Sequence, residues 1–421
     1  MSKSNQNARH AALRIVRELR HAGHLAYFAG GCVRDELLGL EPTDYDIATD
    51  ATPERIRKLF ARTAHVGAAF GVVLVTVGSR TIEVATFRDD GPYSDRRRPD
   101  SVTFSNPESD ARRRDFTVNA LFLDPEAKPN DADLALGARG HVIDLVNGLA
   151  DLQAKILRAV GKPEERLAED HLRALRAVRF AARLDFAVED STAEAIRAHA
   201  SDLVGVSRER VGDELRRILK PPSRSRGIKL LSNLQLDSPV FNEPPHPGPW
   251  PVFEALPETE CPFPLTLASL AVDRHGQDLP VESVVRRWRS ALMLSNDERD
   301  ALQNTLTLAI KLRTDWTNAS VAQRKRWAST THFEWALHLN CLQKPLIETI
   351  QADVQTLSKT HGGLCPTPLV DGQVLMDAGL VPGPTFGHIL HTLYNLQLEG
   401  QITTKTQAIA KARELEADSS V

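Results

Sequence analysis

Strand-forming sequence is confined to the first third of this 421-residue chain, and this distribution restricts the fold more than any other feature. Two apolar runs, residues 70–77 and 80–87, are separated by Gly78 and Ser79 and predict a β-hairpin. From Gly148 onward, helical periodicity replaces the strand pattern almost completely. The sequence therefore predicts an α+β fold, with a small head that contains a mixed β-sheet, followed by all-α neck, body and tail domains.

Shifts in composition divide the chain into four predicted domains. The head covers residues 1–147 and the helical neck covers residues 148–237. Residues 238–264 contain nine prolines, and because proline lacks the backbone N–H that a helix needs, we predict a linker without helix there. Residues 265–421 return to helical periodicity and form the predicted body and tail.

The composition is that of an ordinary globular protein, with 42% hydrophobic residues, 25% charged residues and a net charge of −3. This balance gives no global attraction to nucleic acid, so any RNA contact must rely on local basic surface. Four cysteines lie far apart without a Cys-x-x-Cys spacing, which predicts reduced thiols and neither a disulfide framework nor a zinc site. The lack of a signal-peptide pattern and of any run of about 18 apolar residues predicts a soluble, cytoplasmic protein with no membrane partner. The sequence leaves the oligomeric state open.

The segment from Gly30 to Asp46 is the strongest chemical signal. Gly30 and Gly31 follow an apolar strand and precede a helix predicted to begin at Val33. Since glycine has no Cβ, this turn lets a ligand approach the backbone, and the first turn of the helix offers N–H groups that suit a phosphate. Asp44 and Asp46 point to the same face if they lie in a strand, and paired carboxylates suit Mg²⁺ bound together with substrate phosphates. Each part also has a simpler interpretation: the glycine pair as a plain turn, and the two aspartates as a solvated loop edge.

The complete string GGCVRDELLG followed by DYD resembles the signature of the class II tRNA nucleotidyltransferase and bacterial poly(A) polymerase superfamily, GGxVRDxLLG followed by DxD. The resemblance implies a nucleotidyltransferase head at residues 1–147 and catalytic metal ions, taken as Mg²⁺, on Asp44 and Asp46. It also implies a triphosphate pocket that is shaped by Gly30, Gly31, Arg34 and Asp35.

Glu83 lies in the second strand of the predicted hairpin, in the sequence TIEVATFR. An exposed carboxylate on a strand needs no special explanation. In the superfamily, however, a strand of this sequence lies beside the acidic pair, so the resemblance makes Glu83 a candidate third catalytic carboxylate. Both interpretations stay open on the sequence alone.

A second motif, RRDFTVNA, begins at Arg113. An arginine run is normally a solvated surface, but this string resembles another element of the superfamily. The resemblance implies that Arg114 and Asp115 position the ribose and the phosphates of a nucleotide, and that Asn119 helps to hold the site together. The chemistry is suitable, because a guanidinium binds phosphate in a bidentate manner and a carboxylate accepts a hydrogen bond from a ribose hydroxyl. The preceding loop, GPYSDRRRPDSVTF, resembles the flexible loop of tRNA-maturing members.

The third motif, EDHLRALRAVRF, lies on a helix predicted at residues 164–184. Its charged side chains share one half of the helical wheel, and ion pairs between neighbouring turns on a solvated face would explain this pattern simply. The EDxxR string, however, resembles the amino-acid template of the superfamily. The resemblance implies that Asp170 and Arg173 read the Watson–Crick edges of incoming ATP or CTP, and that Arg176 and Arg179 face the triphosphate.

Two further elements are less specific. Arg210 and Glu214 belong to a string that resembles an element bracing the neck helix, although their i,i+4 spacing also permits a simple ion pair. Residues 369–410 resemble a C-terminal segment of many bacterial members and predict either an RNA-facing helical tail or a packing module.

The motifs together imply a template-independent nucleotidyltransferase that adds CCA to the 3′ end of tRNA from CTP and ATP and releases pyrophosphate. Residues 65–75 lack the paired basic residues after glycine that mark bacterial poly(A) polymerases, which favours tRNA as the substrate. Three alternatives stay open: a poly(A) polymerase, an enzyme that adds only A or only CC, and a non-catalytic RNA-binding relative. Both aspartates whose loss would indicate the non-catalytic relative are present.

Overall fold

The structure is a computed structural model that describes residues 3–65, 71–93, 99–360 and 362–418. Contacts between residues divide the chain into two compact units, Met1–Pro247 and Gly248–Val421. The boundary between the units lies inside the predicted linker, residues 238–264. The division of the chain into four domains stays a prediction.

The first unit is built on a mixed β-sheet, as predicted. Its strands, in chain order, are β1 (Ala26–Ala29), β2 (Asp46–Thr49), β3 (Thr63–His65), β4 (Val72–Val77), β5 (Arg80–Thr86), β6 (Arg88–Asp90), β7 (Val102–Phe104), β8 (Phe122–Asp124), β9 (His141–Ile143), β10 (Ile156–Leu157) and β11 (Ala187–Val188). Seven described strands form one sheet in the order β3-β4-β5-β2-β1-β8-β9. Strands β1 and β2 are antiparallel, whereas β2 and β5 are parallel, so the central strand β2 joins both types of pairing. The predicted hairpin is confirmed as β4 and β5.

The helices of the first unit alternate with the strands as far as β9, and helices predominate after it. In chain order they are α1 (Lys3–His21), α2 (Gly31–Leu37), α3 (Pro53–Leu59), α4 (Pro107–Arg112), α5 (Asp131–Ala135), α6 (Gly148–Ala154), α7 (Pro163–Glu169), α8 (Leu172–Leu184), α9 (Asp190–Ala198), α10 (Arg208–Leu219), α11 (Arg224–Asn233) and α12 (Asp237–Phe241), with 3₁₀ turns at Thr117–Asn119 and Ala200–Gly205. The predicted change from a mixed sheet to helices is therefore confirmed.

The polar composition of residues 89–110 predicts a loop there, followed by a short helix from Ala111. In the described part of this segment, however, β6 and β7 form an antiparallel pair, and α4 begins at Pro107. Each of these strands has only three residues, which is too short for an alternating pattern to be visible. The Asn106 side chain accepts a hydrogen bond from the Ser109 N–H, so the Asn-Pro pair starts a helix instead of a turn.

The predicted helix at residues 164–184 is two helices, α7 and α8, with a break at Asp170 and His171. Asp170 has an extended backbone, with φ of −153° and ψ of 103°. Its carboxylate accepts a hydrogen bond from the Leu172 N–H at 3.1 Å, which satisfies the first turn of α8. The expectation that Asp170 shares one continuous helical face with Arg173 is therefore wrong, and the break itself orients the Asp170 side chain.

The second unit is helical. Its helices are α13 (Pro251–Glu254), α14 (Phe263–His275), α15 (Val281–Leu292), α16 (Asn296–Thr314), α17 (Val321–Ala328), α18 (Phe333–Leu339), α19 (Lys344–Ser358), α20 (Gly372–Asp377), α21 (Phe386–Leu398) and α22 (Lys405–Asp418), with a 3₁₀ turn at Trp316–Asn318. Trp288 and Trp316 are fully buried in it. Among the helices in the described ranges, none is long and apolar enough to cross a membrane.

The proline-rich residues 238–264 contain helix, contrary to the prediction. Helix α12 includes Pro239, and Pro251 occupies the first position of α13. Proline is tolerated in the first turn of a helix, because the N–H groups there have no partner inside the helix. Val240 and Phe241 of α12 are fully buried, so hydrophobic burial stabilises that short helix.

Candidate active site

A cavity of about 460 Å³ opens between the sheet and the first neck helices of the first unit. Ten of the residues predicted from the sequence line it: Gly30, Gly31, Arg34, Asp46, Arg114, Asp115, Asn119, Asp170, Arg173 and Arg176. The lining among the described residues also includes Arg113, Leu172, Phe180 and Arg210, and it does not include Asp35, Asp44, Glu83 or Arg179. The three motifs, which are distant in sequence, thus meet at one cavity.

The glycine turn at the cavity has a physical requirement for glycine. Gly30 has φ of 73° and ψ of −126°, a backbone conformation that residues with a side chain rarely adopt. A Cβ at this position would lie 2.8 Å from Nη1 of Arg114. Gly30 therefore lets the Arg114 guanidinium approach the start of α2, which begins at Gly31, two residues before the predicted start at Val33.

Three carboxylates lie together at the start of β2. Asp46 is the first residue of β2 and is the register partner of Glu83 in the parallel strand β5. Asp44 precedes the strand, so the prediction that both aspartates lie in a strand holds only for Asp46. Asp44 and Asp46 are nevertheless exposed on either side of the buried Tyr45, which is the alternation that places their side chains on the same side.

Burial and the neighbouring carboxylates make ionisation of Asp46 less favourable than that of a free aspartate. The Asp46 side chain reaches solvent, but surrounding protein atoms limit its hydration, and this burial raises its pKa. Glu83 raises the pKa further, Arg114 lowers it and Asp44 raises it, with a net value of about 6. Excess negative charge among hard oxygen ligands suits a divalent cation, so the residues present fit a metal of this kind.

A polar cluster around Glu36 contacts Tyr45, the residue between the two aspartates. The Glu36 carboxylate accepts hydrogen bonds from Arg9 Nε at 2.8 Å and from the Tyr45 hydroxyl at 3.4 Å. It also forms an ion pair with Arg139. Tyr45 packs edge-on against Phe28 of β1, with the ring centroids 5.2 Å apart. The hydroxyl of Tyr45 is therefore held by a hydrogen bond and its ring by packing against Phe28.

Arg34, Asp35 and Asn119 join the first motif to the second. Arg34 is buried, and it donates to Asp35 Oδ1 from Nη2 at 2.7 Å and to Asn119 Oδ1 from Nη1. The other Asp35 oxygen accepts from Arg183 Nη2 at 2.9 Å. Asp35 thus lies behind the cavity wall and anchors Arg34, whereas Asn119 also donates to Asp115 Oδ1 at 3.0 Å.

Asp110 supports two cavity arginines, and the sequence reasoning missed it. Its buried carboxylate accepts from Arg113 Nε at 2.9 Å and from Arg114 Nη2 at 2.9 Å. Burial alone would raise the Asp110 pKa, but the two guanidinium groups outweigh it and the pKa is lowered. The signal was present, since Asp110 precedes these arginines by three and four residues, which is helical spacing. The polar composition of residues 89–110 instead predicts a loop that ends at Asp110.

Asp115 and Arg176 form an ion pair with two hydrogen bonds at the cavity. Arg176 donates to Asp115 Oδ2 from Nε at 2.8 Å and from Nη2 at 2.6 Å. Burial raises the Asp115 pKa, but Arg176 and the Asn119 amide lower it more, to about 2. The same pairing raises the pKa of Arg176. The second and third motifs are therefore linked by two groups that stay charged together.

Asp170 and Arg173 each have a partner that orients them. Asp170 Oδ2 accepts from Arg210 Nη2 at 2.6 Å, and Arg173 donates to the Arg166 carbonyl oxygen at 2.8 Å. Arg173 also pairs with Glu169. Arg210 and Glu214 bind different groups, although their spacing would permit an ion pair between them. Arg210 contacts Asp170, and Glu214 pairs with Arg179.

Arg179 lies outside the cavity lining. Its guanidinium pairs with Glu214 at 2.8 Å and lies over the Phe180 ring, 4.4 Å from the centroid. Burial lowers its pKa, and the net value is about 10. The guanidinium groups of Arg176 and Arg34 lie 5.3 and 5.1 Å from the centroid of the same Phe180 ring. The predicted contact of Arg179 with a triphosphate stays a prediction.

Comparisons with known proteins identify the family to which the chain belongs. Residues 26–158 match the family described as "Poly A polymerase head domain", and residues 185–246 match the family described as "Probable RNA and SrmB- binding site of polymerase A". A CCA-adding enzyme of Latilactobacillus sakei is 34% identical over 409 residues, which cover 95% of this chain and 96% of that protein. A CCA-adding enzyme of Lactiplantibacillus plantarum is 33% identical, with 97% of each chain covered. The chain belongs to the CCA-adding enzyme family.

A solved CCA-adding enzyme supports the same conclusion at the level of structure. The Bacillus stearothermophilus CCA-adding enzyme in complex with CTP is 28% identical, with a TM-score of 0.74 over 100% of this chain and 99% of that one. The resemblance of the sequence motifs to the superfamily is thus confirmed, and so is the α+β fold. Enzymes of the CCA-adding family are nucleotidyltransferases that depend on a divalent metal, which is consistent with the carboxylate cluster. The roles of the individual site residues stay predictions.

Proposed function

We propose that this protein adds CCA to the 3′ end of tRNA, using CTP and ATP and releasing pyrophosphate. One observation carries this proposal: a single cavity is lined by Asp46 of the carboxylate cluster, by several arginines and by the Asp170–Arg173 pair. The cavity therefore offers groups for a metal, a triphosphate and a base. A further proposal, consistent with a tRNA substrate, is that the enzyme acts in the cytoplasm.

Asp44 and Asp46, with Glu83 beside them, are proposed to hold Mg²⁺. When bound, the cation lowers the pKa of the attacking RNA 3′-hydroxyl and neutralises charge on the leaving pyrophosphate. The chain contributes the ligand positions: β2 and β5 hold Asp46 and Glu83 in register, and the Glu36 cluster fixes Tyr45 between the two aspartates. Rigid ligands keep the reacting groups aligned without further reorganisation.

Arg114 and Arg176 are proposed to bind the triphosphate. A guanidinium has five N–H donors. Among the described contacts, Arg114 uses Nε, Nη1 and Nη2 on Asp110 and Asn119, and Arg176 uses Nε and Nη2 on Asp115. Each guanidinium is thus held in place and keeps further N–H groups for phosphate oxygens. In this arrangement Asp115 orients Arg176, and a contact of Asp115 with the ribose would be additional.

Asp170 and Arg173 are proposed to select the base. The Asp170 carboxylate can accept from the exocyclic amine that cytosine and adenine share, and the Arg173 guanidinium can donate to their ring acceptors. Guanine and uracil present a carbonyl where the amine is needed, so they leave the carboxylate unpaired. Arg210 and Glu169 hold the two side chains in place before a nucleotide arrives.

The helices after the head are proposed to bind the tRNA. Residues 185–246, most of which lie in the predicted neck 148–237, match the RNA-binding family model. The predicted body and tail, residues 265–421, are proposed to extend this RNA contact. The four-domain division predicted from composition is kept as part of this proposal.

The decisive experiment is incubation of the protein with tRNA that ends before CCA and, in parallel, with tRNA that ends in CC, with labelled CTP and labelled ATP supplied separately and together. The proposal expects CTP to be incorporated first, and ATP only after two C residues. Incorporation of ATP alone on any RNA would indicate a poly(A) polymerase, and ATP alone on a CC end would indicate an A-adding enzyme. Arrest after two C residues with both nucleotides present would indicate a CC-adding enzyme. No incorporation would indicate a non-catalytic RNA-binding protein.

A further inference from the structure

Three side chains with metal-binding atoms converge outside the catalytic cavity. His171 lies in the break between α7 and α8, His199 directly follows α9, and Asp202 lies in the 3₁₀ turn Ala200–Gly205. Asp202 Oδ2 is 2.8 Å from Nδ1 of His199 and 4.0 Å from Nδ1 of His171. One ligand atom from each residue lies within 4.8 Å of the others. The two imidazole rings are stacked, with centroids 6.2 Å apart.

The spacing of these atoms is close to that of a zinc site. Zinc binds imidazole nitrogen and carboxylate oxygen at about 2.0–2.2 Å, so two ligand atoms of a tetrahedron lie roughly 3.4 Å apart. The distances of 2.8 and 4.0 Å lie on either side of this value, so modest side-chain movement would bring all three atoms to one ion. His171 is buried, whereas His199 and Asp202 are partly exposed, which leaves access for an ion and room for a water ligand.

The types of ligand separate this cluster from the carboxylates at β2. Two imidazoles and one carboxylate suit a borderline-soft cation such as Zn²⁺, whereas Mg²⁺ prefers oxygen ligands only. We propose that His171, His199 and Asp202 bind one Zn²⁺ ion at a site separate from the catalytic carboxylates. The cysteine spacing predicted no zinc site. That reasoning could not detect this one, because the fold brings together histidines that are 28 residues apart.

The place of the cluster in the fold gives the bound ion a structural role. His171 directly follows Asp170, and both Asp170 and Leu172 line the catalytic cavity. An ion that ties His171 to His199 and Asp202 therefore connects the α7–α8 break to the end of α9. It holds the break in one conformation and raises the stability of the folded chain. This inference is independent of the reaction proposed for the enzyme.

The test uses the full chain without a histidine tag, after removal of metal with a chelator. Co²⁺ serves as a spectroscopic probe, because a tetrahedral nitrogen–oxygen site gives a much stronger visible absorption than octahedral Co²⁺ on carboxylates. The proposal expects this absorption to saturate at one equivalent of Co²⁺ and to be lost when Zn²⁺ is added. Zn²⁺ should also raise the midpoint of thermal unfolding.

Variants at the two partly exposed ligands, His199→Asn and Asp202→Asn, avoid the buried His171. Each should weaken Zn²⁺ binding more than about 100-fold, beyond the usual effect of losing only an outer partner of a ligand. The matched control is His24→Asn, because His24 forms a similar pair with Asp50 at 3.2 Å and should leave Zn²⁺ binding unchanged. Asp46→Asn should also leave it unchanged. Absence of the tetrahedral absorption, or Zn²⁺ binding that survives in both ligand variants, would overturn the proposal.

Discussion

Asp46 and Glu83 are register partners in the parallel strands β2 and β5, and both side chains are exposed on the same face of the sheet. Apart from burial, Glu83 is the group that most raises the pKa of Asp46. The two charges therefore oppose each other in the metal-free protein. A shared cation would remove this repulsion, which makes the pair a direct indicator of metal binding.

Replacement of these carboxylates should separate catalysis from folding. Asp46→Asn should lower the rate of nucleotide addition about 1000-fold or more, which corresponds to a loss of several kcal/mol of stabilisation of the transition state. Glu83→Gln should increase the Mg²⁺ concentration needed for half-maximal rate. Both variants should raise the thermal midpoint of the metal-free protein, because they relieve repulsion. The control is Thr81→Ala, because Thr81 is exposed and lies on β5 together with Glu83. Normal turnover of the Asp46→Asn enzyme would show that Asp46 does not bind the catalytic metal.

The Asp46 pKa predicts how metal binding depends on pH. The pKa is raised to about 6, so the carboxylate carries a proton below that pH and its charge above it. A protonated carboxylate does not bind the cation, and the Mg²⁺ requirement should therefore rise by about tenfold per pH unit below 6 if one proton is displaced. Above pH 7 it should stay constant. Measurement of the half-saturating Mg²⁺ concentration across this range tests the prediction, and a constant value down to pH 5 would contradict it.

Asp110 should be important for both stability and activity, because it holds Arg113 and Arg114. Asp110→Ala leaves two guanidinium groups without their buried partner and should cost about 3 kcal/mol in the free energy of unfolding. It should also raise the KM for CTP, since Arg114 lines the cavity. The matched control on the same helix is Glu108→Ala, which removes the exposed ion pair with Arg112 and should cost less than about 1 kcal/mol. Denaturant unfolding of both variants compares them, and equal costs would show that burial of the Asp110 pair is unimportant.

Arg210 should affect the choice of nucleotide rather than the rate with the correct one. Arg210→Ala frees the Asp170 carboxylate, which accepts from Arg210 at 2.6 Å, to take other orientations. Discrimination between CTP and UTP, measured as a ratio of kcat/KM values, should fall by about tenfold. Arg217→Ala is the control, because Arg217 pairs with Glu214 and is largely exposed. Unchanged discrimination in Arg210→Ala would show that Asp170 needs no such support.

The residues of the cavity were largely predictable because the motifs are local strings. Gly30, Arg114 and Asp170 were each identified through the resemblance of the string around them to the superfamily. The head sheet was predictable for a similar reason, since β4 and β5 are long enough to show alternation around a glycine turn.

What the sequence did not reveal depends on contacts between distant segments. The break at Asp170 interrupts a helical pattern that continues on both sides of it, so periodicity alone shows one helix. Arg179 follows Arg176 by three residues on the same helix, and only the fold shows that it pairs with Glu214 instead of lining the cavity. Asp110 and the short helices near Pro239 and Pro251 were missed because residues typical of loops also begin helices.

The most direct test of the central claim is an experimental structure of the protein with CTP and Mg²⁺. The account predicts a cation within about 2.1 Å of oxygen atoms of both Asp44 and Asp46. It also predicts the triphosphate against Arg114 and the cytosine edge against Asp170 and Arg173. A triphosphate bound elsewhere, or a cation that does not contact Asp46, would contradict it.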